Sequence, residues 1–172
     1  MITPTDIWVA NSGDSRAVIG LKKPDGKYEA LAMSEDHKPD NEGEKKRIEE
    51  AGGFVEDNRV RGILALSRSI GDLEYKVKGE NKDYKKDMIT ADPEIKVQKI
   101  EANVAFLIIA CDGIWDCLDN QQAVDKVGEL IDKKSKLSQV VEDIFDQIIA
   151  SDVSSSGGIG CDNMTAVIVR FK

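Results

Sequence analysis

The sequence predicts an α+β fold in which antiparallel strands and helices are gathered separately. Three observations carry this. The chain opens with short apolar runs broken by turns rich in Gly, Asn and Asp. Two apolar stripes at helical spacing follow one another between Asn120 and Ala150. A continuous apolar run, Val104 to Ala110, is too short to span a membrane and reads as a strand buried on both faces, or nearly so.

Taken in order, Asp6 to Asn11 and Arg16 to Leu21 read as two strands joined by the turn Asn11-Ser-Gly-Asp-Ser15. After Lys23-Pro-Asp-Gly26, a third strand near Lys27 to Ala32 completes an antiparallel meander. Asp14, in the first turn, is either an Asx-turn residue or a ligand. Asp40 or Asn41 caps a short helix, Glu44 to Ala51, which Gly52-Gly53 stops. Only Ile48 and Ala51 give that helix an apolar side, so it reads as a mobile flap over the surface or as an ordinary solvated helix. Phe54 to Gly71 suggests a strand pair, and Arg68 within it is open to an ion pair or to an anion. Residues 75–87, polar and lysine-rich, read as an exposed loop.

A strand near Glu94 to Lys99 precedes the buried run, which ends in Cys111-Asp112-Gly113. An aspartate at the mouth of a buried strand is costly unless a cation or hydrogen bonds compensate it, so Asp112 is a ligand, a catalytic acid, or a turn or cap residue. Asn120 caps a helix to about Ile131, and a second helix runs from about Ser138 to Ala150. Ser151 to Gly160 is a flexible loop without the following helix that a phosphate cradle needs. Asp162 then stands just before a closing strand, Ala166 to Phe171. If that strand pairs antiparallel with the buried one, Asp112 and Asp162 meet side by side.

The 172 residues suit one domain, 1–172, with a real core. The net charge of −8 lacks the basic footprint of nucleic-acid or anionic-membrane binding, and neither partner is expected. No apolar run approaches the roughly 20 residues of a membrane helix, and the opening residues do not resemble a secretory leader. One histidine and three cysteines without a Cys-x-x-Cys pair argue against zinc and for reduced thiols, hence a cytoplasmic or nuclear location. Three acids next to small residues, Asp14, Asp112 and Asp162, repel one another unless protons or cations hold them, and oxygen-only donors suit Mg²⁺ or Mn²⁺.

Six motifs then occur in the order found in metal-dependent type 2C protein phosphatases: Asn11-Ser-Gly-Asp-Ser-Arg-Ala-Val18, Asp36-His-Lys-Pro39, Arg47-Ile-Glu-Glu-Ala-Gly-Gly53, Leu64-Ala-Leu-Ser-Arg-Ser-Ile-Gly-Asp72, Ala110-Cys-Asp-Gly-Ile-Trp-Asp116 and Asp162-Asn-Met-Thr-Ala-Val167. The chain resembles the carboxy-terminal part of that domain. The resemblance implies an antiparallel β-sandwich flanked by helices. It also implies hydrolysis of phosphoserine and phosphothreonine in phosphoprotein substrates by a water activated at a Mg²⁺/Mn²⁺ centre. In this likeness Asp112 and Asp162 match ligands of the two catalytic ions, and Asp14 matches a ligand of a third, weaker site that shares Asp112. Residues 35–53 resemble the flap that contributes to substrate choice.

The family's upstream Asp-Gly-His-Gly segment, whose aspartate bridges the two ions, and its phosphate-gripping arginine have no counterpart in these residues. The resemblance names no other catalytic or substrate-binding side chain here. An amino-terminally incomplete domain is therefore expected, with exposed sheet edges open to self-association. The alternative is a catalytically inactive phosphatase-like binding or regulatory module.

Overall fold

The computed structural model describes residues 1–76, 83–133 and 136–172. They form two compact units, Met1–Val9 with Ser15–Ser34 and Lys96–Lys172, and Ala10–Asp14 with Glu35–Ile95.

In the first unit, β2 (Arg16–Lys22), β3 (Tyr28–Ala32), β7 (Val104–Ala110) and β8 (Ala166–Arg170) make an antiparallel sheet in the order β3-β2-β7-β8. The apolar run is thus a central strand, paired Ala17↔Ile109 on one side and Ala110↔Ala166 on the other. Alternation splits its side chains between two cores. Phe106, Ile108 and Ala110 pack with Val124, Val127, Val140 and Ile144 of α3 (Asn120–Ile131) and α4 (Leu137–Ile148). Leu107 points the other way, into a layer with Ala17, Ile19 and Ile7. Burial is not complete, since Ile109 keeps 42% of its surface exposed. β3 and β8 are the sheet's edges.

The expected meander is corrected at its first strand. β1 (Asp6–Asn11) does not pair with β2; it forms a separate two-stranded sheet with β6 (Glu94–Lys99). The turn residues that look like a hairpin are spent otherwise: Asn11 donates its side-chain amide to the Gly13 and Glu35 carbonyls, and His37 takes hold of Gly13. Ile7, fully buried, binds β1 into the layer with Ile19 and Leu107.

The helix cap also moves by one residue. Asp119, not Asn120, accepts from the Gln122 amide while Gln122 reaches back to the Asp119 amide, a reciprocal capping box. Asn120 instead accepts from Arg16 at 2.6 Å. After α4, the loop of residues 151–159 is closed at its neck by the Ala150 amide donating to the Gly160 carbonyl at 2.8 Å. Gly160 sits at φ +74°, and a Cβ there would collide with the Ile148 carbonyl.

The second unit has its own small core: Ile48, Val60, Tyr75, Met88 and Ile89. α1 (Glu42–Glu50) starts two residues earlier than expected, and Asn41 at its head makes no side-chain cap because its amide donates to Asp36. Ile48 is fully buried, so the helix is anchored by one apolar side chain and an ion-pair network rather than laid on a surface. The expected strand pair is short, β4 (Val55–Glu56) with β5 (Arg59–Val60), around a turn in which Asp57 and Asn58 both adopt positive φ. Of the expected exposed loop 75–87, residues 77–82 lie outside the described residues. Residues 83–86 are exposed as expected, but Tyr75 and Asp87 at its ends are buried, Tyr75 because it completes the core around Ile48 and Val60.

Candidate functional site

The β7–β8 register delivers a corner. β7 ends at Ala110; Cys111 stays extended, and the chain turns at once into α2 (Asp112–Trp115). That turn is seated from below. Ile114, Trp115 and Leu118 are buried, and the Trp115 indole N–H donates to the Ala110 carbonyl at 2.8 Å. The Arg16 guanidinium lies 5.0 Å from the Trp115 ring centroid, a cation–π contact that covers the indole.

Opposite, the segment entering β8 is locked to the same turn. Cys111 donates its amide to the Thr165 carbonyl at 3.1 Å, and its Sγ lies 3.3 Å from the Asn163 carbonyl and 3.2 Å from the Thr165 amide. Gly113 is the point of closest approach. A Cβ on it would run into the Asn163 carbonyl oxygen and stand 3.5 Å from the Asp162 Cβ. Glycine is therefore required here for contact between two chain segments. Asp162 thus lies against the glycine that follows Asp112, where the β7–β8 register brings the two strand ends together. Each carboxylate is oriented by the next amide: Gly113 N–H donates to Asp112 at 2.9 Å and Asn163 N–H to Asp162 at 2.6 Å.

Asp14 belongs to the second unit, where the Asp36-His-Lys-Pro39 motif holds it. The His37 amide donates to the Gly13 carbonyl at 3.1 Å. The imidazole Nδ1 lies 3.2 Å from both the Gly13 amide nitrogen and its carbonyl oxygen, bonding one or the other according to tautomer. Among the described residues Nε2 has no hydrogen-bond partner, and it stands 3.6 Å from the Glu94 carboxylate. Burial, and then the charge of Arg68, push the His37 pKa below its usual 6.5 against the pull of Glu44 and Glu94. Lys38 Nζ meets the Asp14 carboxylate at 2.5 Å.

Behind His37, the Ser67 amide donates to the His37 carbonyl and the Ser67 hydroxyl to Glu44 at 2.6 Å. Glu44 is gripped by Arg68 at 2.7 Å and Arg47 at 2.9 Å. Burial works to raise the Glu44 pKa, but hydrogen bonds from Arg68 and Ser67 and the charge of Arg47 outweigh it and hold the group at about 2. Arg68 thus takes the ion-pair role of its two sequence readings.

The sequence reading does not single out the contacts of His37 and Lys38 with Gly13 and Asp14; the available signal is the chain's sole histidine beside a lysine and a proline. Two carboxylates at one strand-end corner fit the oxygen donors that Mg²⁺ or Mn²⁺ take, one or two per ion. Among the described residues no group of three or more His, Cys, Asp or Glu is placed to hold an ion, so the corner supplies part of a ligand set.

Comparison with known proteins identifies the architecture. The family model described as protein phosphatase 2C matches residues 1–157. "Protein phosphatase 2C homolog 2" of Aspergillus fumigatus is 47% identical over 98% of this chain and 38% of its own length. "Probable protein phosphatase 2C 60" of Arabidopsis thaliana is 45% identical over the whole chain and 46% of its own length. A crystal structure of a phosphatase from Toxoplasma gondii superposes with a TM-score of 0.76 at 32% identity, covering 96% of this chain and 48% of that one. The chain thus spans less than half the length of these relatives. With the family match over residues 1–157 and identities of 45–47% to these curated relatives, the chain belongs to the protein phosphatase 2C family.

Proposed function

We propose that this chain contributes to the metal centre of a serine/threonine protein phosphatase, with Asp112 and Asp162 as carboxylate ligands for Mg²⁺ or Mn²⁺ and Asp14 as a ligand of a further, weaker ion. The observation that supports the reading is the Gly113–Asn163 approach, which brings Asp162 against the residue after Asp112 and leaves no room for a side chain on Gly113. Bound ions of this kind neutralise phosphoryl oxygens and make a water nucleophilic near neutral pH. The chain's own residues hold and aim. The Gly113 and Asn163 amides fix the carboxylates, Trp115 ties the turn to β7, and Arg16 keeps the indole in place. The substrate class, phosphoserine and phosphothreonine in proteins, rests on the family.

The test is a Mn²⁺ titration by calorimetry with hydrolysis of a phosphothreonine peptide followed in parallel. Asp112→Asn and Asp162→Asn are each expected to weaken Mn²⁺ binding by about ten-fold or more, the loss of a charged ligand. Asp112→Asn is expected to weaken it more than Asp14→Asn. Binding indifferent to Asp112 would sink the reading.

A second reading has one observation in its favour. With no group of three or more ligating side chains among the described residues, ion binding by this chain alone is expected to be weak. A folded chain that binds a phosphopeptide without Asp112-dependent turnover would then be a binding or regulatory module. Pairing of edge strands β3 or β8 between two chains is part of the same proposal, and light scattering across a concentration series checks it.

A further inference from the structure

We propose that Lys38 is the resident cation of Asp14, an internal counter-ion that a divalent ion must displace before it can use that carboxylate. The inference rests on Asp14 being an ion ligand. It goes further in saying what occupies the ligand beforehand and why the site is weak.

Most lysine–carboxylate pairs on a surface contribute little, because a long side chain must be immobilised to make them. Lys38 differs in how its root is held. On one side His37, 3% exposed, grips Gly13 through its backbone and its ring, so the residues carrying ammonium and carboxylate are tied together next door to the pair. On the other side Pro39 is fully buried and fixes its own φ. The Lys38 amide is also spent, on the Asp36 carbonyl at 3.1 Å. The backbone therefore delivers Nζ to Asp14 at 2.5 Å, with the Asp14 side chain only 14% exposed and that of Lys38 31%. An ion approaching Asp14 meets a carboxylate already held by an ammonium. It gains the carboxylate only by turning the ammonium out to water, where Lys38's remaining exposure gives it a path.

Two unit charges about 4 Å apart in water interact by roughly one kcal/mol, so removing the competing charge is expected to tighten ion binding at Asp14 about five-fold. The probe is Mn²⁺ alone, followed by water-proton relaxation, on the chain and its Lys38→Met, Asp14→Asn and Lys38→Met/Asp14→Asn variants. Tighter binding in Lys38→Met that vanishes in the double variant supports the proposal. Equal or weaker binding in Lys38→Met, with its thermal unfolding and His37 imidazole resonance unchanged, overturns it.

Should Lys38→Met fail to fold, the unmodified chain still decides. Mg²⁺ titration is expected to shift the Lys38 ammonium resonance together with the Asp14 carboxylate, and movement of Asp14 with Lys38 unmoved overturns the proposal. An Asp112→Asn control separates the two levels. Mn²⁺ binding unaffected by that change rejects the metal-centre reading itself. Binding lost there, with no gain from Lys38→Met, rejects the counter-ion alone.

Discussion

Two acids in this molecule look alike in sequence and are held by different physics. Asp112 and Asp14 each follow or precede a glycine at the end of a strand. Asp112 is placed by main chain: a strand register, an amide donating to its own carboxylate, and a glycine pressed against the Asn163 carbonyl. Asp14 is placed by side chains, with an imidazole on Gly13, an ammonium on its carboxylate, and a buried glutamate two steps behind. The first arrangement rests on packing and main-chain register, the second on charge.

The comparison breaks most severely at Glu44. Glu44→Ala leaves Arg68 and Arg47 half-buried without their partner, and removing one member of such a network costs about 3–5 kcal/mol. The expected result is a lower urea midpoint and a shifted His37 imidazole resonance, which is unambiguous because the chain has one histidine.

Acid should act in the same direction. Glu44 is held at about 2 against an ordinary 4.5, so its stabilisation is present above pH 4.5 and is lost as pH falls toward 2. His37, lowered from 6.5, adds to this: its neutral form is favoured, and its contribution disappears as pH drops through the depressed value. Urea unfolding across pH 2–7 checks both, and a profile unchanged by Glu44→Gln would remove charge from the account of this region.

On the packing side, Gly113→Ala is expected to cost about 1–3 kcal/mol by forcing the corner apart, and to weaken Mn²⁺ binding with it. If stability and binding both survive, the close approach is not what sets the two acids together. The smallest effect is expected of Trp115→Phe, which keeps an aromatic ring, though a smaller one, and loses one buried hydrogen bond, about 1 kcal/mol by thermal unfolding.

The sequence made the packing-held acid legible and left the charge-held one half-read. Val104 to Ala110 announces its own burial, Ala166 to Arg170 can only close a sheet, and a pairing of the two puts Asp112 beside Asp162 without further information. The helical stripes of α3 and α4 are equally local. By contrast, the partner of β1 is a choice among strands far apart in the chain. Turn-rich residues 11–15 mimic a hairpin because Asn, Gly and Asp serve a long-range clamp as well as they serve a tight turn. Ile48 gave no sign that a separate core existed to receive it, since Val60 reads only as part of a short strand pair and Tyr75 comes from a segment without periodicity. The roles of His37 and Lys38 appear only once the fold brings residues 24 positions apart into contact.

The neck that closes residues 151–159 has a practical meaning for chain length. Because the Ala150 amide and Gly160 carbonyl are already joined, residues added inside the loop leave Asp162 where it is, at a closure cost that grows only slowly with length. The four residues from Asp162 to Thr165 have no such freedom. One insertion there turns each later side chain of β8 to the opposite face, exposing Ile168 and pulling Asp162 from Asp112. A spectroscopic label or affinity tag can therefore be threaded into the loop within a few residues of the candidate metal corner, while the stretch beside it keeps a fixed length.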